Sequence, residues 1–162
     1  MYNKILVPTD GSELSEHAVA AAIDFARASG AEILAFSVAQ PYPLVAGEGA
    51  MVIDLGIEAE QRRQMAQENV NKVAEAAKAA GVACSTATEY SATPAEEIIK
   101  AANENSCDLI FMASHGRHGI SRLLAGSVTQ TVLAYSSIPV LVLRPPATDE
   151  MRMAAGTQAV AT

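Results

Sequence analysis

The chain has 162 residues, and its 11 Lys and Arg stand against 18 Asp and Glu, giving a formal charge of −7 and a pI near 4.9. Half of the residues are hydrophobic, and a chain of this length buries roughly 70% of the surface its unfolded form exposes, enough for one self-sufficient core. The acid excess excludes the basic footprint a nucleic-acid partner requires, but not a small phosphorylated ligand held by backbone N–H groups.

Taken in chain order, the apolar period switches repeatedly between strand and helix. Ile5-Leu6-Val7 is a short continuous run ended by Pro8-Thr9-Asp10-Gly11, as expected of a strand buried on both faces of a parallel sheet. Leu14, Ala18, Ala21 and Phe25 then recur at helical spacing, with Ser12 placed to cap, Glu13 and Glu16 near the positive end, and Gly30 as the stop. Ile33 to Val38 reads as a second strand. Residues 40–56, with Pro41, Pro43, Gly47, Gly49 and Gly56, form a loop that carries Leu44, Val45, Met51, Val52 and Ile53. Such a loop is a lid, a partner surface or an insert, and the residues do not choose among these.

From Ile57 to Ala80 the composition predicts a long helix closed by Gly81, and Val82 to Tyr90 alternates weakly as a third strand. Thr93-Pro94-Ala95-Glu96 has the form of a capping box with proline at the first helical position, opening a helix to about Asn105. Leu109 to Met112 is a fourth buried strand, followed by a Gly-rich loop and a helix holding Val128, Val132 and Leu133. Ile138 to Leu143 is the fifth strand. The tail, residues 145–162, lacks periodicity and is expected to be disordered, which leaves 1–144 as one domain. The alternation predicts an open α/β fold: five strands, mostly parallel, with helices on both faces and ligands bound beyond the carboxyl ends of the strands.

Three apolar residues followed by Pro8 do not make the core of a signal peptide, and no apolar run approaches the 20 or so residues that span a bilayer. A cytoplasmic chain without a membrane partner is the expectation. Cys84 and Cys107 form no CxxC and flank apolar segments, so both read as reduced packing residues.

Chemistry concentrates in Ala113-Ser114-His115-Gly116-Arg117-His118-Gly119 and in Gly126-Ser127-Val128-Thr129. The segment follows a strand and leads into a helix. Gly116 and Gly119 let backbone N–H groups approach an anion, and the Gly126-Ser127 helix start favours phosphate. Ser127 and Thr129 add hydroxyls, while Arg117 and Arg122 supply positive charge. A plain surface loop with an ordinary Ser127 cap is the competing reading. No Gly-Lys-Ser/Thr follows, so this is not a P-loop, and the spacing is not that of a Rossmann fingerprint. His115 and His118 lack a third ligand with a convincing location, so no protein-only metal site is expected. Asp10 is the acid at a strand's carboxyl end, where it either stabilises the turn or meets a ligand.

Along 1–144 the chain resembles the nucleotide-binding subgroup of the universal stress proteins. The residues that carry the resemblance are Ile5-Leu6-Val7-Pro8-Thr9-Asp10-Gly11-Ser12, Asp108 to Arg117, and Gly126-Ser127-Val128 ahead of Ile138-Pro139-Val140-Leu141-Val142. The family's ATP-binding pattern is Gly, two residues, Gly, nine residues, Gly, then Ser or Thr. Gly116, Gly126 and Ser127 match it, and Ala113 stands where the first glycine belongs.

The resemblance implies a sheet order of 3-2-1-4-5 and a homodimer, here paired through Val140–Leu143, an apolar strand at the sheet edge. It also implies an ATP or AMP site. There Asp10 and the main chain of Pro8 and Thr9 face the adenosine, and Val38 meets adenine through its backbone. Residues Gly116 to Gly119 and Gly126 to Thr129 hold the phosphates, Ala113 lies near the ribose, and Asp10 or Ser127 offers contact to Mg²⁺. A homodimeric stress-response sensor or regulator follows as the function; a slow ATPase and a ligand-free dimeric interaction module are the alternatives.

Overall fold

The computed structural model describes residues 1–41, 55–114 and 127–144. Five strands, β1 (Lys4–Pro8), β2 (Glu32–Ala39), β3 (Cys84–Tyr90), β4 (Leu109–Ala113) and β5 (Val140–Leu143), alternate with four helices, α1 (Glu13–Ser29), α2 (Leu55–Ala79), α3 (Pro94–Glu104) and α4 (Ser127–Tyr135). The sheet order is β3-β2-β1-β4-β5, as the resemblance implies, and every strand pair is parallel.

Alternate residues of the central strands feed two cores. Ile5, Val7, Ile33, Ala35, Leu109 and Phe111 meet α1 and α2, while Leu6, Leu34, Phe36, Ile110 and Met112 meet α3 and Val132 of α4. Burial on both faces is why these strands read as unbroken apolar runs. At the sheet margin β3 is half exposed, which accounts for its weak alternation.

Helix ends follow local chemistry. Ser12 Oγ accepts the Ser15 N–H at 3.3 Å, as a cap should, and Gly30 closes α1 in the left-handed conformation. Gly56, expected in the loop, lies in the first turn of α2, where the penalty a helix interior places on glycine does not apply.

The capping box at Thr93 does not form. Ser91 Oγ accepts the Thr93 N–H and pairs with the Thr93 hydroxyl, each at 3.2 Å, so that hydroxyl leaves the helix end. The Glu96 N–H bonds the Thr93 carbonyl at 3.1 Å instead. Strand β5 starts at Val140, two residues later than expected. The Ser136 hydroxyl turns the chain back on Ile138, and Pro139 has no N–H to give to a ladder.

At the amino-terminal pole, Asp108 clamps β4 to the start of β1. Its carboxylate accepts the Asn3 N–H at 2.8 Å, the Asn3 side-chain amide at 3.0 Å and the Lys4 N–H at 3.0 Å. Burial works to raise this carboxyl, but the donors from Asn3 and Lys4 outweigh it and hold it below the usual aspartate value. Cys84 and Cys107 are both free thiols, and burial pushes Cys107 up to about 11 against the opposing pull of Lys4.

Candidate functional site

The carboxyl ends of β1, β2 and β4 form the edge where the predicted residues gather. Two features of β1 open this edge. The Lys4 carbonyl accepts from Asp108, so the even residues of β1 direct their backbone groups at β4. Pro8 is the next such residue after Leu6, and it has no N–H to donate. The β1–β4 register accordingly ends at Leu6↔Ile110, while β4–β5 runs on to Ala113↔Leu143. Strand order also reverses between β1 and β4, the place where open α/β sheets bind ligands.

On the other side of β1, pairing with β2 ends at Pro8↔Phe36, with one further bond from the Thr9 N–H to the Phe36 carbonyl at 2.9 Å. The β2–β3 pairing continues to Ala39↔Tyr90. Phe36 faces β1 and the Ala39 carbonyl faces the β3 side, where it accepts the Ser91 N–H. Alternation therefore aims both the N–H and the C=O of Val38 at the space that β1 vacates when it turns at Asp10. A donor and an acceptor lie side by side there.

The turn itself is tightly bonded. Asp10 Oδ1 accepts the Ser12 N–H at 3.0 Å and the Ser12 hydroxyl at 2.6 Å, so the aspartate does hold the turn. Thr9 is buried; its hydroxyl accepts the Gly11 N–H at 3.2 Å and pairs with the Ser15 hydroxyl at the same distance. Ser15 Oγ in turn donates to the Ser12 carbonyl at 2.9 Å. Ser15 escaped the sequence reading, although a serine three residues after a serine cap is a visible signal.

At β4, Ser114 extends the ladder by donating its N–H to the Leu143 carbonyl at 2.9 Å. The buried Thr129 hydroxyl donates to the Ala113 carbonyl at 3.1 Å, tying α4 to the strand end. Ala113 has a strand conformation with negative φ, and its methyl packs against the core shared with α1 and α2. The backbone here makes no demand for glycine. Ser127 is exposed at the start of α4, and Val128 packs partly against the second core.

Pro8, Thr9, Asp10, Val38, Ala113, Ser114, Ser127, Val128 and Thr129 thus belong to elements that meet at or beside one edge of the sheet. His115, Gly116, Arg117, His118, Gly119, Arg122 and Gly126 lie outside the described residues. A cation that the sequence reading passed over stands at the same edge: the Arg63 guanidinium lies 4.9 Å from the ring centre of Tyr90, the last residue of β3. Among the described residues no group of three or more His, Cys, Asp or Glu could hold a metal ion.

The family model described as the universal stress protein family matches residues 1–144. The chain belongs to the universal stress protein family. Among its relatives, universal stress protein MJ0531 of Methanocaldococcus jannaschii is 35% identical over 148 residues, covering 90% of this chain and 84% of that protein. The solved structure of MJ0577 from the same organism superposes with a TM-score of 0.73 at 28% identity, covering 91% of this chain and 99% of the other. A universal stress protein crystallised in complex with cAMP is 27% identical, with a TM-score of 0.64 and coverage of 88% and 97%. These likenesses cover most of the chain and share its fold.

Proposed function

We propose that this universal stress protein binds an adenine nucleotide, ATP or AMP, at the carboxyl edge of β1, β2 and β4, and acts as a homodimeric, cytoplasmic stress-response regulator. The observation that carries the nucleotide reading is the Val38 backbone. Its N–H and C=O face the gap left by β1 and complement the acceptor and donor that adenine presents side by side. Guanine presents that pair in the opposite sense, so adenine nucleotides are expected to bind more tightly than guanine nucleotides.

In this reading the Asp10 turn and the main chain of Pro8 and Thr9 line the adenosine. Ala113 and Ser114 border the ribose, and Gly116 to Gly119 with Gly126 to Thr129 take the phosphates. The cAMP complex of a family member supports the ligand class. The bonds from Ser12 to Asp10 Oδ1 favour a turn-holding and ligand-facing role for this aspartate over a metal-binding one. This supports a binding protein ahead of an ATPase, with any Mg²⁺ carried by the phosphates.

The dimer reading rests on β5. The carbonyls of Pro139 and Leu143 accept from Ile110 of β4 and from Ser114 just after it, so the backbone groups of Val140 and Val142 point outward along the sheet edge. Leu133 and Tyr135 of α4 are 49% and 77% exposed. A second copy covers these groups by edge pairing.

Mass spectrometry of small molecules released from the purified protein tests the ligand directly: ATP or AMP is expected. Gly116→Val is expected to weaken nucleotide binding with the fold intact, and unchanged affinity in calorimetry overturns the phosphate-loop assignment.

A further inference from the structure

The buried stripe of α2 consists of Ala66, Asn69, Val70, Val73 and Ala77. Four of the five are apolar. Asn69 is the polar exception: the residue is only 9% exposed, and its side-chain amide opens onto the cavity beside it, so no buried polar atom is left unsatisfied among the described residues. A contact with the apolar core does not by itself call for an amide at this position of the stripe.

Its position does. Gly11 follows Asp10 in the β1–α1 turn and has φ +72°, and a Cβ built there would sit 2.4 Å from Asn69 Oδ1, 3.0 Å from Cγ and 3.2 Å from Nδ2. The amide therefore occupies the side of Gly11 toward which a Cβ would project. Beside this contact is a cavity of ≈ 240 Å³ between α1 and α2, lined by Thr9, Gly11, Val19, Ile23, Asn69 and Val73 among others. Gly11 and the amide both line this space, so the amide fills the α2 side of the turn. Without the amide, the turn has room to move.

We propose that Asn69 is a positioning residue for the nucleotide site: it braces the Asp10-Gly11-Ser12 turn from α2 and thereby sets the affinity for adenine nucleotide. The affinity clause rests on the nucleotide reading above; the bracing clause does not.

The first test uses ligand-free protein. Amide hydrogen exchange of Gly11 and Ser12 is expected to be roughly ten-fold faster in Asn69→Ala, with exchange at Val19 and Ile23 unchanged. The melting temperature should stay close to that of the wild type, because the change removes a contact at the cavity rim and leaves the apolar stripe of α2 intact. Asn69→Asp, which keeps an oxygen against Gly11, restores slow exchange. The second test is ATP titration calorimetry, where Asn69→Ala is expected to bind roughly ten-fold more weakly. Unchanged Gly11 and Ser12 exchange overturns the brace. Equal ATP affinity, or a loss that merely tracks a lower melting temperature, overturns the positioning role. If the wild-type chain binds no adenine nucleotide, the nucleotide reading fails, while the exchange measurement still decides whether Asn69 holds the turn.

Discussion

Gly11 and Gly30 have nearly the same backbone, φ +72° and +76°, in different surroundings: Asn69 crowds Gly11, and nothing lies within 4 Å of a Cβ at Gly30. Gly30→Ala should therefore cost only the left-handed penalty, about 1 kcal/mol, whereas Gly11→Ala should cost about 2–3 kcal/mol in urea unfolding. In an Asn69→Ala background the Gly11→Ala cost should fall toward the Gly30 value, a coupling that a double-mutant cycle reads directly. At the opposite pole, Asp108 has its carboxyl held below the ordinary value, so its contribution is fully present above that value. The contribution is lost as pH falls through the lowered folded one. Asp108→Asn should be less stable than wild type at neutral pH, and the gap should close in acid. Denaturation curves at several pH values check this; a gap independent of pH contradicts the clamp.

At the scale of elements, α4 is fixed to β4 by the bond from Thr129 to the Ala113 carbonyl. Thr129→Val keeps the shape but removes the donor, and should cost about 1 kcal/mol in denaturant unfolding. Strand β5 offers its outward bonds through Val140 and Val142, so Val142→Pro removes an outward N–H and spares the β4–β5 ladder. Sedimentation equilibrium should then show monomer where wild type is dimeric, and an unchanged assembly would rule out pairing through this edge.

Strands β1 and β4 were legible in the sequence because burial on both faces makes an apolar run. The end of β1 was legible because Pro8 stops a ladder. The misread cap at Thr93 shows the limit of motif reading: Ser91, outside the motif, competes for the same groups. Asn69 was hidden differently. Its spacing matches the buried stripe of α2, and only the fold reveals that this stripe passes behind the Asp10 turn.

For the whole molecule, a formal charge of −7 sits on a fold whose open edge exposes backbone donors and acceptors. The acid excess argues against a polyanion such as nucleic acid, because many phosphates must be neutralised at once. A single nucleotide needs only a local set of N–H groups and a base-reading pair, and the ends of β1, β2 and β4 supply the frame for these. Sheet order, helix placement and the position of this edge were all readable from periodicity together with family resemblance. The backbone direction of Val38 required the register. Titration calorimetry of the wild-type chain with ATP, AMP and GTP measures the central claim most directly. The expected result is saturable binding of ATP or AMP at one site per chain, with GTP much weaker; no saturable binding of either adenine nucleotide, or GTP binding equally well, would contradict it.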